Sequence, residues 1–210
     1  MFIIILLILT LISTAIHIRA EYAGPRILVY IFKPLMTILI ILIAVIQPGS
    51  QPDIYRYAII TGLVFSLAGD IFLMFPDTRF LSGLVSFLIA HLAYIFAFTW
   101  GIGFGLTLYI ALPLVVVGGQ MFRYLSPGLG KMKLPVLVYL AAIIVMAWQG
   151  WEHWEINVQW YTMLAAIGAL FFVVSDSLIA INRFRFQFKS ARAWVLVTYM
   201  IAQLLIAFSV

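Results

Sequence analysis

The chain has 210 residues, 66% of them hydrophobic and only 9% charged, with a mean hydropathy of +1.18 and a net charge of +5. Soluble domains carry about a quarter charged residues, so this composition excludes a water-soluble globule and leaves an integral membrane protein. The absence of cysteine excludes disulfides, thiolate nucleophiles and Cys-based metal sites, and the modest positive excess fits cytoplasmic loops rather than a nucleic-acid partner.

The first apolar segment, Met1–His17, has no basic region before it and no Ala-x-Ala-like site after it, so it reads as a membrane helix and not as a cleaved signal peptide. Seven more segments follow, at Ile27–Ile46, Arg56–Phe75, Phe80–Phe98, Gly103–Gly119, Leu134–Gly150, Trp160–Ile181 and Ala191–Val210. Each has about the length that a hydrocarbon core of roughly 30 Å requires. Gly and Pro punctuate their ends, and no stretch is left for a soluble domain. The expected fold is all-α, one domain over residues 1–210, a bundle of about eight transmembrane helices.

The second segment starts with Lys33-Pro34. A lysine at a membrane boundary snorkels to the surface, or meets a lipid phosphate there. The third segment carries Asp70 well inside its apolar run, roughly 7–9 Å from Pro76 by helical rise. A buried carboxylate costs several kcal/mol in a bilayer, so it marks a functional site unless two acids merely bind helices together. Gly62, Ser66 and Gly69 stand at i, i+4 and i+7, which lets one side of this helix approach a neighbour closely. The fourth segment places Ser86 level with Asp70, His91 near mid-membrane and Tyr94 one turn further. The seventh carries a second acid, Asp176, followed by Asn182 and Arg183 at the segment's end. Lys33 and Arg183 put cations just above the acids, where a phosphate headgroup would lie, and Asn182 adds a neutral donor and acceptor.

Basic residues set the orientation. The odd-numbered loops hold Arg19, Arg26, Lys33, Arg79, Arg123, Lys131, Lys133, Arg183, Arg185, Lys189 and Arg192, whereas the even ones hold Arg56 alone. Odd loops are therefore expected in the cytoplasm and both termini outside. On that orientation both acids lie five or six residues before a cytoplasmic helix end, at matching depth. Glu152 and Glu155, among Trp148, Trp151, Trp154 and Trp160, fall at the outer interface as an aromatic belt. A G-x-x-F-x-x-x-[GS]-D pattern occurs twice, at Gly62–Asp70 and Gly168–Asp176. It is compatible with two parallel four-helix repeats or with chance. The histidines His17, His91 and His153 lie in different segments without ligand spacing, so no metal is expected. The Gly101, Gly103 and Gly105 run has no lysine after it and forms no phosphate loop.

Three stretches, G-D-I-F-L-M-F at Gly69–Phe75, the fourth segment Phe80–Phe98, and S-D-S-L-I-A-I-N-R-F at Ser175–Phe184, together resemble the YhhN-like family of eight-span membrane proteins, which includes the lysoplasmalogenases. Lys33-Pro34 fits it too. The resemblance implies hydrolysis of the vinyl ether bond of a lysophospholipid substrate in the lipid bilayer, releasing a fatty aldehyde and a glycerophospho-alcohol. It implies Asp70 and Asp176 as the catalytic pair, with no cofactor. The two acids are then expected to titrate as a coupled pair, with neither assigned as the acid. Lys33, Ser86, His91, Tyr94, Asn182 and Arg183 are the expected substrate-binding residues, and a bacterial inner membrane is the expected location. A proton- or cation-coupled small-solute transporter using the same aspartates is the alternative. An intramembrane aspartyl protease fits poorly, because Leu67 replaces the first glycine of the G-x-G-D element. Oligomeric state is not legible.

Overall fold

A computed structural model describes residues 1–210. It contains eight α-helices: α1 (Phe2–Ala23), α2 (Arg26–Ile46), α3 (Asp53–Leu73), α4 (Pro76–Thr99), α5 (Leu108–Leu129), α6 (Lys133–Ile156), α7 (Trp160–Phe184) and α8 (Ala191–Ala207). A single 3-10 turn, Gly130–Met132, joins α5 to α6. By length and composition, α1 to α4, α7 and the continuous stretch Leu108–Ile156 can cross a membrane, and α8 is a shorter apolar helix. The chain is an all-helical polytopic membrane bundle.

The bundle is apolar on its outside as well as in its core. Ile8, Leu42, Val116 and Leu137 are exposed on its outside, while Thr37, Ser66, Asp70, His91 and Gln203 are buried within it. Lipid solvates apolar side chains as well as a core does, so polar groups without lipid-compatible partners gather in the middle.

Several helix boundaries differ from the sequence expectation for local reasons. Pro76 takes the first turn of α4, where its missing N–H costs nothing. Arg79 then leaves helical geometry (φ −123°, ψ 16°), so the regular part of α4 is the stretch read from the sequence. The fifth helix begins only at Leu108, because Gly101 and Gly103 hold φ of +80° and +81° in the preceding loop. It also runs through Pro127 to Leu129 and stops at Gly130 with φ +49°. α2 begins at Arg26, which sets Lys33 about two turns inside the helix and not at its start.

α3 packs along α4, and α4 also packs on α6; α7 packs along α8, and α8 also packs on α2. With the α2–α3 and α6–α7 contacts, the first four helices and the last four have matching partners. The match is broken by α1, which touches α8, and by α5, which touches α7. The α3–α4 contact is close: a methyl added at Gly62 would stand 2.3 Å from the Tyr94 ring, and one at Gly69 would stand 2.5 Å from Phe87. Small residues on α3 thus let α4 rest its aromatic rings on the α3 backbone.

The two ends of the bundle are built differently. At the basic end, Glu21 of α1 pairs with Arg192 of α8 at 2.8 Å. At the other end, Glu152, one turn before the end of α6, is buried among its neighbours (3% exposed). It accepts hydrogen bonds from the Thr107 N–H (2.6 Å), the Thr107 hydroxyl (2.8 Å) and the Trp148 indole (2.8 Å). A third acid therefore lies inside an apolar helix, spent on fastening the α4–α5 loop to α6.

Candidate active site

Asp70 is carried by α3 and almost fully buried, 1% exposed. Its Oδ2 accepts hydrogen bonds from Thr37 on α2 and Tyr199 on α8, each at 2.7 Å. Its Oδ1 faces Lys33 Nζ at 3.4 Å. Lys33 and Thr37 stand one turn apart on α2, so a single helix face supplies both. All three neighbours are donors, which makes Asp70 the common acceptor of its cluster.

Tyr199 also receives a hydrogen bond from Gln203 Nε2 at 2.8 Å, one turn along α8. Gln203 Oε1 in turn accepts from the Tyr94 hydroxyl at 2.9 Å. Tyr94, Gln203, Tyr199 and Asp70 thus form one hydrogen-bonded row through the interior. Beside it, Ser66 Oγ is buried without a partner.

Asp176, on α7, has a second set of partners. The Tyr139 hydroxyl of α6 donates to its Oδ2, and His91 Nε2 of α4 stands 3.4 Å from the same oxygen. His91 Nε2 lies 2.9 Å from the Tyr139 hydroxyl. With the tyrosine proton directed at Asp176, the N–H on Nε2 is the donor to the tyrosine oxygen. Nδ1 of His91 is buried with no partner. The Asp176 side chain is 12% exposed, against 2% for Asp70.

The two acids do not hydrogen-bond each other. An aromatic wall joins their surroundings: the Tyr199 ring lies 5.9 Å from Phe87 and 5.5 Å from Phe172, and Phe172 lies 5.1 Å edge-on from His91. The matching of helix partners extends to these sites. Asp70 takes donors from the preceding helix α2 and from α8; Asp176 takes one from the preceding helix α6 and is approached by His91 of α4. Lys33 and Tyr139 are both 37 residues before their acids, 70 − 33 and 176 − 139.

The structure sorts the sequence-derived residues. Lys33 and His91 each meet an acid, and Tyr94 reaches Asp70 through Gln203 and Tyr199. Ser86 does not join them, since its hydroxyl donates to the Phe65 carbonyl at 2.7 Å and ties α4 to α3. Asn182 Oδ1 accepts from the Phe188 N–H at 3.2 Å, closing the α7–α8 loop. Arg183 donates to the Pro76 carbonyl at 3.3 Å and lies over the Phe80 ring at 4.0 Å, at the exposed basic end. Sequence reasoning missed Thr37, Tyr139, Tyr199 and Gln203. Two signals were present: the one-turn spacings Lys33–Thr37 and Tyr199–Gln203, and the equal offset of Lys33 and Tyr139 from their acids. No group of His, Asp and Glu side chains here could hold a metal ion.

The arrangement offers a fixed acceptor carboxylate at Asp70 and, joined to it through the aromatic wall, a second carboxylate in contact with Tyr139 and His91. Such a pair suits reactions in which an acid adds a proton and a carboxylate steadies the cation formed.

The family model described as the YhhN family matches residues 28–210. Lysoplasmalogenase TMEM86A of Homo sapiens is 36% identical over 156 residues, 72% of this chain and 64% of that protein. Lysoplasmalogenase TMEM86B of Sus scrofa is 32% identical over 178 residues, 84% of this chain and 72% of that protein. The "Uncharacterized membrane protein YhhN" of Escherichia coli O157:H7 is 25% identical over 194 residues, 92% of each chain. The chain thus spans under two thirds of the length of the TMEM86A relatives it matches. No solved structure matches it.

Proposed function

The chain belongs to the YhhN family, and on that premise we propose that it hydrolyses the vinyl ether bond of lysoplasmalogens. The observation that carries this reading is the pair of acids inside the bundle, each met by polar side chains from two other helices, in a chain 36% identical to a lysoplasmalogenase.

The chemistry needs one proton, one water and no cofactor. In the first step Asp176 gives a proton to the outer carbon of the alkene, leaving an oxocarbenium ion at the ether carbon. His91 and Tyr139, both in contact with Asp176, are placed to return that proton. The Asp70 carboxylate, held by Lys33, Thr37 and Tyr199, steadies the cation. Water then adds to the ether carbon and loses a proton to the acid cluster. The hemiacetal collapses: Asp176, reprotonated in the previous step, gives its proton to the glycerol oxygen as the C–O bond breaks, and the hemiacetal hydroxyl proton returns to the acid cluster, leaving a fatty aldehyde and the glycerophospho-alcohol. General acid catalysis of this kind contributes about 10²- to 10⁴-fold. The assignment of Asp176 as donor rests on its greater exposure and its two proton-carrying neighbours.

The basic end, at which both acids lie nearer to a helix terminus, is proposed to face the cytoplasm. A lysolipid of the cytoplasmic leaflet carries its vinyl ether just below the glycerol, level with these acids.

The test is fatty-aldehyde release from a lysoplasmalogen by the purified protein, beside diacyl and intact-plasmalogen analogues. Turnover of the lysoplasmalogen alone, lost in Asp70→Asn and Asp176→Asn while both stay folded, is the expected result. No turnover of any vinyl ether lipid overturns the reading. One observation favours a second reading, a proton-coupled transporter: the row from Tyr94 through Gln203 and Tyr199 to Asp70 is a continuous hydrogen-bonded path. Solute flux that depends on Asp70, without lipid turnover, would establish it.

A further inference from the structure

An apolar groove of about 270 Å³ runs between α4 and α6 on the outside of the bundle. Leu81, Leu84 and Leu88 form one wall, and Leu134, Val138 and Tyr139 form the other. Leu81, Leu134 and Val138 are exposed, so the groove opens toward lipid. Tyr139 alone among its lining residues carries a polar group, and that hydroxyl donates to Asp176. The Tyr139 ring is therefore a wall shared by the groove and the candidate active site.

Its outer end is cationic. Lys133, exposed, immediately precedes Leu134. Arg183 lies over Phe80, the residue before Leu81. Lys133 and Tyr139 are six residues apart on one helix, roughly 9 Å by helical rise. A lysolipid's phosphate and its vinyl ether are separated by a three-carbon glycerol, shorter than that rise, and the flexible Lys133 side chain can make up the difference. The volume lies just below the roughly 300–1,000 Å³ of pockets that hold drug-sized ligands, enough for part of one hydrocarbon chain and not for two. A surface groove open along its length also lets a chain slide in from the bilayer without crossing the packed core.

We propose that this α4–α6 groove seats a single-chain, phosphate-bearing ether lipid, with the phosphate at Lys133 and Arg183 and the ether at Tyr139. The chain continues along the groove into the bilayer. One chain fits where two do not, so a diradyl lipid would have to leave its second chain outside the groove. Lys33, already engaged by Asp70, plays no part in headgroup binding. The inference rests on the hydrolase reading for its substrate, but its first test does not depend on turnover.

In nanodiscs, the full chain is irradiated with an alkenyl lysophosphocholine that carries a diazirine near the ether, and adducts are mapped by mass spectrometry. Adducts confined to the α4 and α6 walls, suppressed by excess lysolipid and not by excess diacyl lipid, support the groove. Adducts spread over the lipid-facing helices, or suppressed equally by diacyl lipid, mean bulk lipid only and overturn it. Adducts at a contact between two copies of the chain overturn it as well. If the wild type releases no aldehyde, the hydrolase reading fails while this labelling still decides the groove.

With turnover in hand, Val138→Trp and Leu84→Trp fill the groove from its lipid side and raise KM by about tenfold or more. Ile8→Trp, on the lipid-facing side of α1, leaves KM unchanged. Lys133→Glu raises KM about fivefold for the phosphate-bearing lipid and leaves an alkenylglycerol unaffected. An unchanged KM in folded Val138→Trp overturns the proposal.

Discussion

Tyr199 and Asp70, 129 residues apart in the chain, meet at 2.7 Å, and the tyrosine keeps that contact while accepting a hydrogen bond from Gln203. Phenylalanine in its place keeps the ring against Phe87 and Phe172 and removes one donor to the carboxylate. Hydrogen bonds to charged groups contribute about 1.5–3 kcal/mol. Tyr199→Phe is therefore expected to lower kcat by about 10- to 100-fold, read as aldehyde release per folded molecule. An unchanged kcat would reduce Asp70 to a structural acid.

Tyr139 stands between the groove and Asp176. Tyr139→Phe preserves the groove wall and takes away the donor to Asp176. The expected outcome is a loss in kcat of about 100-fold with KM unchanged. A raised KM with kcat intact would show that the ring, and not the hydroxyl, is the working part.

Lys33 and Asp70 form an ion pair whose members are 19% and 2% exposed. Removing one partner of a buried pair costs about 3–5 kcal/mol, because the other charge is left uncompensated. Lys33→Met alone should lose stability of that order in a mixed-micelle unfolding titration. Lys33→Met with Asp70→Asn should recover much of it, since no charge then remains to be stranded. Additive losses would mean that the pair is not coupled.

Gly62 and Gly119 separate packing from propensity. Gly62→Ala drives a methyl into Tyr94 and should cost about 1–3 kcal/mol by overpacking. It also pushes Tyr94 off Gln203. Gly119→Ala meets nothing within 4 Å and should stabilise α5 by about 0.5–1 kcal/mol. The same unfolding titration reads both.

Glu152 holds the α4–α5 loop far from the two acids. Glu152→Gln turns one acceptor oxygen into a donor that faces other donors. Limited proteolysis within Trp100–Thr107 should speed up, while aldehyde release per intact molecule stays the same. A parallel loss of turnover would tie this loop to the reaction.

Hydropathy made the two aspartates legible, because a carboxylate inside an apolar run stands out against its neighbours. Tyr139, Tyr199, Thr37 and Gln203 did not stand out, since hydroxyls and amides cost little in such a segment. Their role comes from meeting an acid on another helix, a relation that periodicity along one helix does not carry. Lys33 was read as a boundary residue, whereas it lies about two turns inside α2, which begins at Arg26. Glu152 was read as interfacial from its tryptophan neighbours, but that reading did not show that one of them, Trp148, donates to it. Ser86 was judged by depth alone, and depth says nothing about which way a hydroxyl points. The all-helical bundle needed only composition and segment length.

The crossed donor pattern has a practical consequence. Each acid meets partners from both halves of the chain: Lys33 and Thr37 with Tyr199 for Asp70, and Tyr139 with His91 for Asp176. A cut in the Trp100–Thr107 loop would leave two four-helix fragments, each holding an acid and the distant partner of the other's acid. Neither fragment would assemble a complete constellation alone. Co-expressed in one membrane, they would have to find each other before either carboxylate regained its full set of donors, so recovery of turnover would report fragment reassembly directly.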